Sequence, residues 1–206
     1  MRIAPTLAFE QQGWSAGILW VAGVDEVGVG PLAGPVAAGA VALQPGQYFP
    51  WFEDVRDSKM LSASQREALA VQIQGTVHWA VGWASAEEID AMNIYQARKL
   101  CVMRALAQLR VWPGMVISDA LKLPVPGNLP IIKADARCIS VAAASVVSKV
   151  ARDRLMVEMC GKYHGYGFCH HKGYYTPEHR RALFARGPSP IHRRSFAPVA
   201  QAALPW

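Results

Sequence analysis

Two kinds of apolar pattern divide this chain. Near-continuous runs at residues 18–26 and Val36–Leu43 read as buried strands, since a strand covered on both faces loses its alternation. Between them lies Gly28-Val-Gly-Pro-Leu-Ala-Gly-Pro35, where Pro31 and Pro35 favour a turn and oppose a helix. Residues 76–84, 115–120 and 129–134 are further strand-like runs. Ile89, Met92, Leu100, Met103, Leu106 and Leu109 instead follow a helical period and predict one long helix. Ser62-Ala-Ser-Gln65 and Ser85-Ala-Glu-Glu88 are capping boxes that open helices. Residues 139–160 predict another helix, with Ala142, Ala143 and Ala144 as a small-residue face for close packing. Thr176 as cap, Pro177 at the first position and Gly187 beyond the end bracket one more. Residues 1–17 read as a mixed leader with a short helix near 7–12.

This order of strands and helices points to an α/β layer fold with a partly parallel sheet. At 206 residues the chain makes one domain, and 52% apolar against 17% charged residues exclude a disordered chain. No internal repeat or dividing linker is evident. The first twenty residues lack a signal-peptide pattern, and no apolar stretch is long enough to span a bilayer, so a cytoplasmic protein is expected.

Charge changes the picture towards the end of the chain. The net charge of +6 is mild, but from Lys162 onward there are seven Lys or Arg against a single acid, Glu178. Five of the six histidines lie there, interleaved with Tyr163, Tyr166, Phe168, Tyr174 and Tyr175. Basic groups among aromatics suit a phosphate backbone with stacked bases, and a solvated basic tail is the bland alternative. Cys101, Cys138, Cys160 and Cys169 show no paired spacing, and Cys160 with Cys169-His170-His171 fits no common zinc finger. Reduced thiols are the expectation.

Acids end three of the strand-like runs: Asp25-Glu26, Asp119 and Asp135. Neighbours on a strand face opposite ways, so Asp25 and Glu26 cannot both aim one way through their side chains. Parallel strands gather their C-terminal ends at one edge, and carboxylates converging there repel one another unless cations share them. Two divalent ions would do so, and would also serve a phosphodiester displacement. Spacing alone leaves open that these acids sit on unrelated loops.

The wording of the motifs goes further. Ala22-Gly-Val-Asp-Glu-Val-Gly-Val-Gly30 with the turn after it resembles the opening motif of ribonuclease HII, the type 2 ribonuclease H family. So do Asp57-Ser-Lys-Met-Leu-Ser62, Ile117-Ser-Asp-Ala-Leu-Lys-Leu-Pro124 and Lys133-Ala-Asp-Ala-Arg137. The run from Ala142 to Met156, the run from Tyr166 to Thr176 and His192-Arg-Arg-Ser-Phe-Ala-Pro198 continue the likeness in the same order. The resemblance implies a ribonuclease H-like fold, a mainly five-stranded mixed sheet flanked by helices, within one catalytic domain over 18–206. A C-terminal helical extension is expected from about residue 165.

The resemblance also implies a monomeric, metal-dependent endonuclease that hydrolyses RNA paired with DNA. It implies incision 5′ of single ribonucleotides in duplex DNA, as in ribonucleotide excision repair, leaving 3′-hydroxyl and 5′-phosphate ends. Asp25, Glu26, Asp119 and Asp135 match the family's catalytic ligands to two Mg²⁺ or Mn²⁺ ions, with Asp25 expected to touch both. Gly28, Val29 and Gly30 match the turn that grips the 2′-hydroxyl, and Tyr174 matches the tyrosine that packs on the sugar. Ser58, Lys59, Ser145 and Lys149 fall near the nucleic-acid backbone. No replication-clamp motif is seen in residues 201–206.

Three departures stand out. Val29 replaces the family's usual arginine, which removes a charged donor unless a basic residue of the C-terminal stretch compensates. Ala134 replaces a glycine and is expected to shift Asp135 slightly. Tyr175 stands where the pattern has a proline or small residue. Arg152 and Arg154 with Asp153 are expected to form helix-surface ion pairs of little worth. A dinucleotide-binding reading of Gly28-x-Gly30 fails, because Pro31, Pro35 and the next strand leave no helix to face a pyrophosphate. A catalytically dead hybrid-binding protein is the other alternative, against which all four acids are present.

Overall fold

The computed structural model describes residues 4–56 and 58–203, except for the side chain of Lys59. Five strands form one sheet: β1 (Val21–Val27), β2 (Val36–Leu43), β3 (His78–Ala84), β4 (Met115–Asp119) and β5 (Asn128–Ile131), in the order β3-β2-β1-β4-β5. The first three run antiparallel, while β4 and β5 run parallel to β1, as the mixed-sheet expectation requires. Every residue of β2 is buried, which is why its sequence shows no alternation.

Helices cover both faces. Along the chain they are α1 (Ala8–Ser15), α2 (Ala63–Thr76), α3 (Ala86–Met92), α4 (Ile94–Gln108) and α5 (Ile139–Lys162). Then follow α6 (Phe168–His171), α7 (Pro177–Arg186) and α8 (Ala197–Ala202), which with the segments between them make up the C-terminal part. Both capping boxes are present, at Ser62 with Gln65 and at Ser85 with Glu88. Thr176 caps α7 as its sequence signals.

α5 lies unusually close to the sheet. A Cβ on Gly23 would fall 2.2 Å from the Ser140 carbonyl carbon, and one on Gly39 would fall 2.3 Å from the Ala144 carbonyl oxygen. Ala142, Ala143 and Ala144 are fully buried there, so the small-residue face serves the close approach that was expected. α4 covers the opposite face, where its residues join Ala22, Val24 and Ala38 in one core. The leader packs against the body: Glu10 is buried, and its Oε1 accepts from the Ser140 amide at 2.9 Å and the Ser140 hydroxyl at 2.6 Å. It thereby caps α5, whose own Cys138 supplies no side-chain cap.

Four expectations are corrected. The single helix over 89–109 is two, broken at Asn93, whose φ of 70° takes it out of the helical region. Its Oδ1 then caps α4 through the amides of Tyr95 and Gln96. β5 ends at Ile131, and Asp135 lies in a short 3-10 turn, Ala134–Ala136, rather than at a strand end. Cys160 and Cys169 form a disulfide, because α6 folds back on the end of α5 and brings their Cα atoms to 5.3 Å. Arg152 is no surface group; it is fully buried beneath the Gly28–Pro35 turn.

Candidate active site

Strand geometry separates the acidic pair. Gly23 and Asp25 share the face covered by α5, and Glu26 turns to the face covered by α4. Each carboxylate finds its partner there. Ser145 of α5 donates to Asp25, and the Ser145 and Ser58 hydroxyls are 2.9 Å apart. A carboxylate only accepts, so the protons run from Ser58 to Ser145 to Asp25. On the other face, Arg98 of α4 donates from Nε to Glu26 Oε1 at 2.8 Å in an ion pair.

Parallel pairing brings in the third acid. Val24 pairs with Ser118, so Asp25 and Asp119 are level, one step further along β1 and β4. Met115 and Ile117 pack with Val141 of α5, which places Asp119 on that same face. Asp119 Oδ1 accepts from the Ala134 amide at 3.1 Å, tying β4 to the turn that carries Asp135. Ala134 is fully buried in the core with Ile131, Cys138 and Val141, so its methyl group is accommodated.

Burial raises the Asp25 pKa well above the usual carboxylate range, Glu26 raises it further, and Asp135 and Asp119 add to this against the Ser145 bond. Glu26 is also raised by burial, opposed by Arg98. The four acids therefore share one electrostatic environment. Among the described residues, no three His, Cys, Asp or Glu side chains stand close enough, as oriented, to hold an ion. Glu26 is drawn to Arg98 and Asp119 to the Ala134 amide. The donor set itself fits hard divalent cations, because it is all carboxylate and its central member resists ionisation without added positive charge.

The glycine turn follows β1 directly. Gly28 has φ +87°, and a Cβ there would fall 2.1 Å from Arg152 Nε, so glycine is required twice over. Val29 is half-buried and packs against the α4-side core. Gly30 is open: a Cβ there would meet only the Tyr174 ring, at 4.0 Å. Tyr174 is 41% exposed, so it is no core tyrosine, and its ring flanks the turn at Gly30. Lys149 lies one helical turn beyond Ser145 and is paired with Asp153 at 2.7 Å. Lys59 belongs to the short 3-10 turn that carries Ser58, and its side chain lies outside the described residues.

Sequence reasoning missed the layer beneath this surface. Arg193 donates to the carbonyls of Gly28 at 2.6 Å, Val29 at 2.8 Å and Gly34 at 3.0 Å. Arg152 donates to those of Ala33, Pro35 and Lys172. His179 Nδ1 lies 2.9 Å from the Tyr174 carbonyl, and His179, His171 and His192 are buried together behind it. The clustering of Arg and His after Lys162 was the available signal, but a count of charges does not say which of them turn inward.

The family profile of ribonuclease HII matches residues 22–199 of this chain. A ribonuclease HII of Paracoccus denitrificans is 49% identical over 198 residues, covering 95% of this chain and 93% of that protein. Among solved structures, the ribonuclease H2 of Pyrococcus horikoshii superposes with a TM-score of 0.75 at 29% identity, over 90% of this chain and 97% of that one. An Archaeoglobus fulgidus ribonuclease HII, solved in complex with PCNA, gives 0.70 at 28% identity over 84% and 92%. The tail read as lacking a clamp motif spans 201–206, of which 204–206 lie outside the described residues. No helix among the described residues is long and apolar enough to cross a membrane. The chain belongs to the ribonuclease HII family: it is a hydrolase, an endoribonuclease acting on RNA paired with DNA.

Proposed function

We propose that this protein nicks duplex DNA on the 5′ side of a single embedded ribonucleotide, as well as cutting RNA tracts in hybrids, and leaves 3′-hydroxyl and 5′-phosphate ends. The observation that carries the reading is the placement of Asp25 level with Asp119, beside a glycine turn whose open face meets Tyr174. Asp25, Glu26, Asp119 and Asp135 would hold two Mg²⁺ or Mn²⁺ ions, which supply an activated water and stabilise the leaving oxyanion. Ser145 orients the Asp25 carboxylate and favours its ionised form. The backbone of Gly28, Val29 and Gly30 approaches the ribose, and Tyr174 packs on the sugar beyond it. Lys149 and Lys59 are assigned the phosphate-backbone contacts that the family resemblance implies. Residues 18–206 form the catalytic unit of a cytoplasmic monomer that serves ribonucleotide excision repair.

A labelled duplex with one ribonucleotide, incubated with Mg²⁺, Mn²⁺ or chelator and resolved beside size markers, tests this reading. It predicts a metal-dependent nick immediately 5′ of the ribose. Cleavage of long RNA tracts alone would remove the junction activity from the proposal, and binding without cleavage of either would make the protein a hybrid-binding module.

A further inference from the structure

Two guanidinium groups lie fully buried behind the glycine turn. Neither Arg152 nor Arg193 forms an ion pair among the described residues, and all six of their hydrogen bonds end on backbone carbonyls. Burying a charge without a direct ion-pair partner is costly, and these two also repel each other, with Asp90 and Asp153 offsetting only part of this from a distance. A neutral side chain would fill such space at lower cost, so the arrangement calls for a reason beyond packing.

The peptide geometry supplies one. No peptide bond among the described residues is cis, and across a trans bond the C=O and the following N–H point in opposite directions. Arg193 draws the carbonyls of Gly28 and Val29 inward, and the amides of Val29 and Gly30 must then point outward. Among the described residues, neither amide has an acceptor within the fold. The outward side is where the Gly30 position opens towards the Tyr174 ring.

The same segment fastens both sides of that opening. The Arg193 amide donates to the Leu32 carbonyl at 2.8 Å, and the Leu32 amide to the Gly173 carbonyl at 2.9 Å. Arg152 bridges the turn, through Ala33 and Pro35, to Lys172, two residues before Tyr174. The C-terminal stretch thus supplies positive charge to the turn from behind, where Val29 offers none in front.

We infer that Arg193 is the positioning residue of the junction grip, fixing the Val29 and Gly30 amides as outward donors for the single 2′-hydroxyl of the substrate. This rests on the reading of the turn given above. Arg193 itself touches no substrate, and Arg152 supports it by locking the turn to the Tyr174 segment.

The test compares wild-type protein with Arg193→Gln and Arg193→Lys, the second keeping charge but not the forked donor. Each is titrated in competition with two duplexes that differ only in one 2′-hydroxyl. The expected result is a preference for the ribonucleotide-containing duplex that falls about tenfold in both variants, the scale of a lost charge-assisted contact. Affinity for the all-deoxy duplex should hold within about twofold, since its phosphates contact other groups. Parallel loss on both duplexes, the mark of a merely structural arginine, overturns the inference, and so does an unchanged preference. If Arg193→Gln does not fold, Arg193→Lys decides on the same criterion. Wild-type protein with no preference at all would overturn the reading of the turn and this inference with it.

Discussion

The Nε2 atoms of His179 and His192 stand 3.0 Å apart in the interior behind Tyr174, and their other ring nitrogens settle which of them donates. The Ser189 amide donates to His192 Nδ1 at 2.9 Å, so a neutral His192 carries its proton on Nε2 and donates to His179. His179 then carries its own on Nδ1 and donates to the Tyr174 carbonyl at 2.9 Å. His171 follows the same logic, accepting from the Gly173 amide and donating to the Tyr166 carbonyl. One neutral tautomer of each ring satisfies every bond.

Acid should therefore unpick the support of the tyrosine. Burial and then His179 lower the His192 pKa from 6.5 to about 3, and burial lowers that of His179. A base with a depressed folded pKa leaves the unfolded chain holding more protons, so stability is full above the unfolded value near 6.5. It falls as pH drops from there towards about 3, by roughly 1.4 kcal/mol per pH unit for His192 in that window. Urea midpoints at pH 7.5, 6 and 5 measure it. His192→Asn, which keeps an acceptor for Ser189, should be less stable at pH 7.5 and less sensitive to acid. Equal acid sensitivity in both proteins would contradict the assignment.

Ser145→Ala removes the bond that favours the charged form of Asp25. The Asp25 pKa then rises further, and the acidic limb of the pH–rate profile moves to higher pH. Cleavage should fall about tenfold near neutral pH and recover partly in alkali. Ser58→Ala should act in the same direction more weakly, because it orients Ser145 alone. A uniform loss at all pH values would show that Ser145 acts otherwise than through Asp25.

Arg98→Met frees Glu26 and takes a positive charge away from the carboxylates. The Mg²⁺ concentration giving half-maximal cleavage should fall, by about tenfold at the scale of one charge-assisted bond. An unchanged metal requirement would mean that Glu26 is not among the ligands.

Gly39→Ala puts a methyl group against the backbone of α5 at Ala144, the residue before Ser145, and beside the strand position of Asp25. Overpacking of this kind costs about 1–3 kcal/mol. The melting temperature should drop, and cleavage should slow more than the loss of folded protein explains. Unchanged stability would mean that α5 can withdraw from the sheet at no cost.

What the sequence made legible follows from how local each signal is. The first four strands, the capping boxes and Thr176 are written in adjacent residues, and so they lie close to where expected, whereas β5 stops at Ile131, short of Asp135. Asp25, Glu26 and Asp119 were readable because the strands themselves carry them to one edge. Asn93 was missed because a helical period continues across it, and only its left-handed backbone interrupts the helix. Arg152 sits in an Arg-Asp-Arg run that looks like a solvated helix face, and nothing local says that the Gly28–Pro35 turn lies over it. The Cys160–Cys169 pairing likewise depends on α6 returning to the end of α5.

The proposed function requires Asp25, Glu26, Asp119 and Asp135 to act as a single metal-holding unit. Its most direct measurement is the rate of nicking at a single ribonucleotide, against Mg²⁺ concentration, for wild-type protein and for Asp25→Asn, Glu26→Gln, Asp119→Asn and Asp135→Asn. All four variants should lose cleavage while still binding the duplex, with Asp25→Asn lowest, by at least about a thousandfold given several kcal/mol of transition-state stabilisation. Near wild-type nicking by Asp25→Asn at any metal concentration would contradict it.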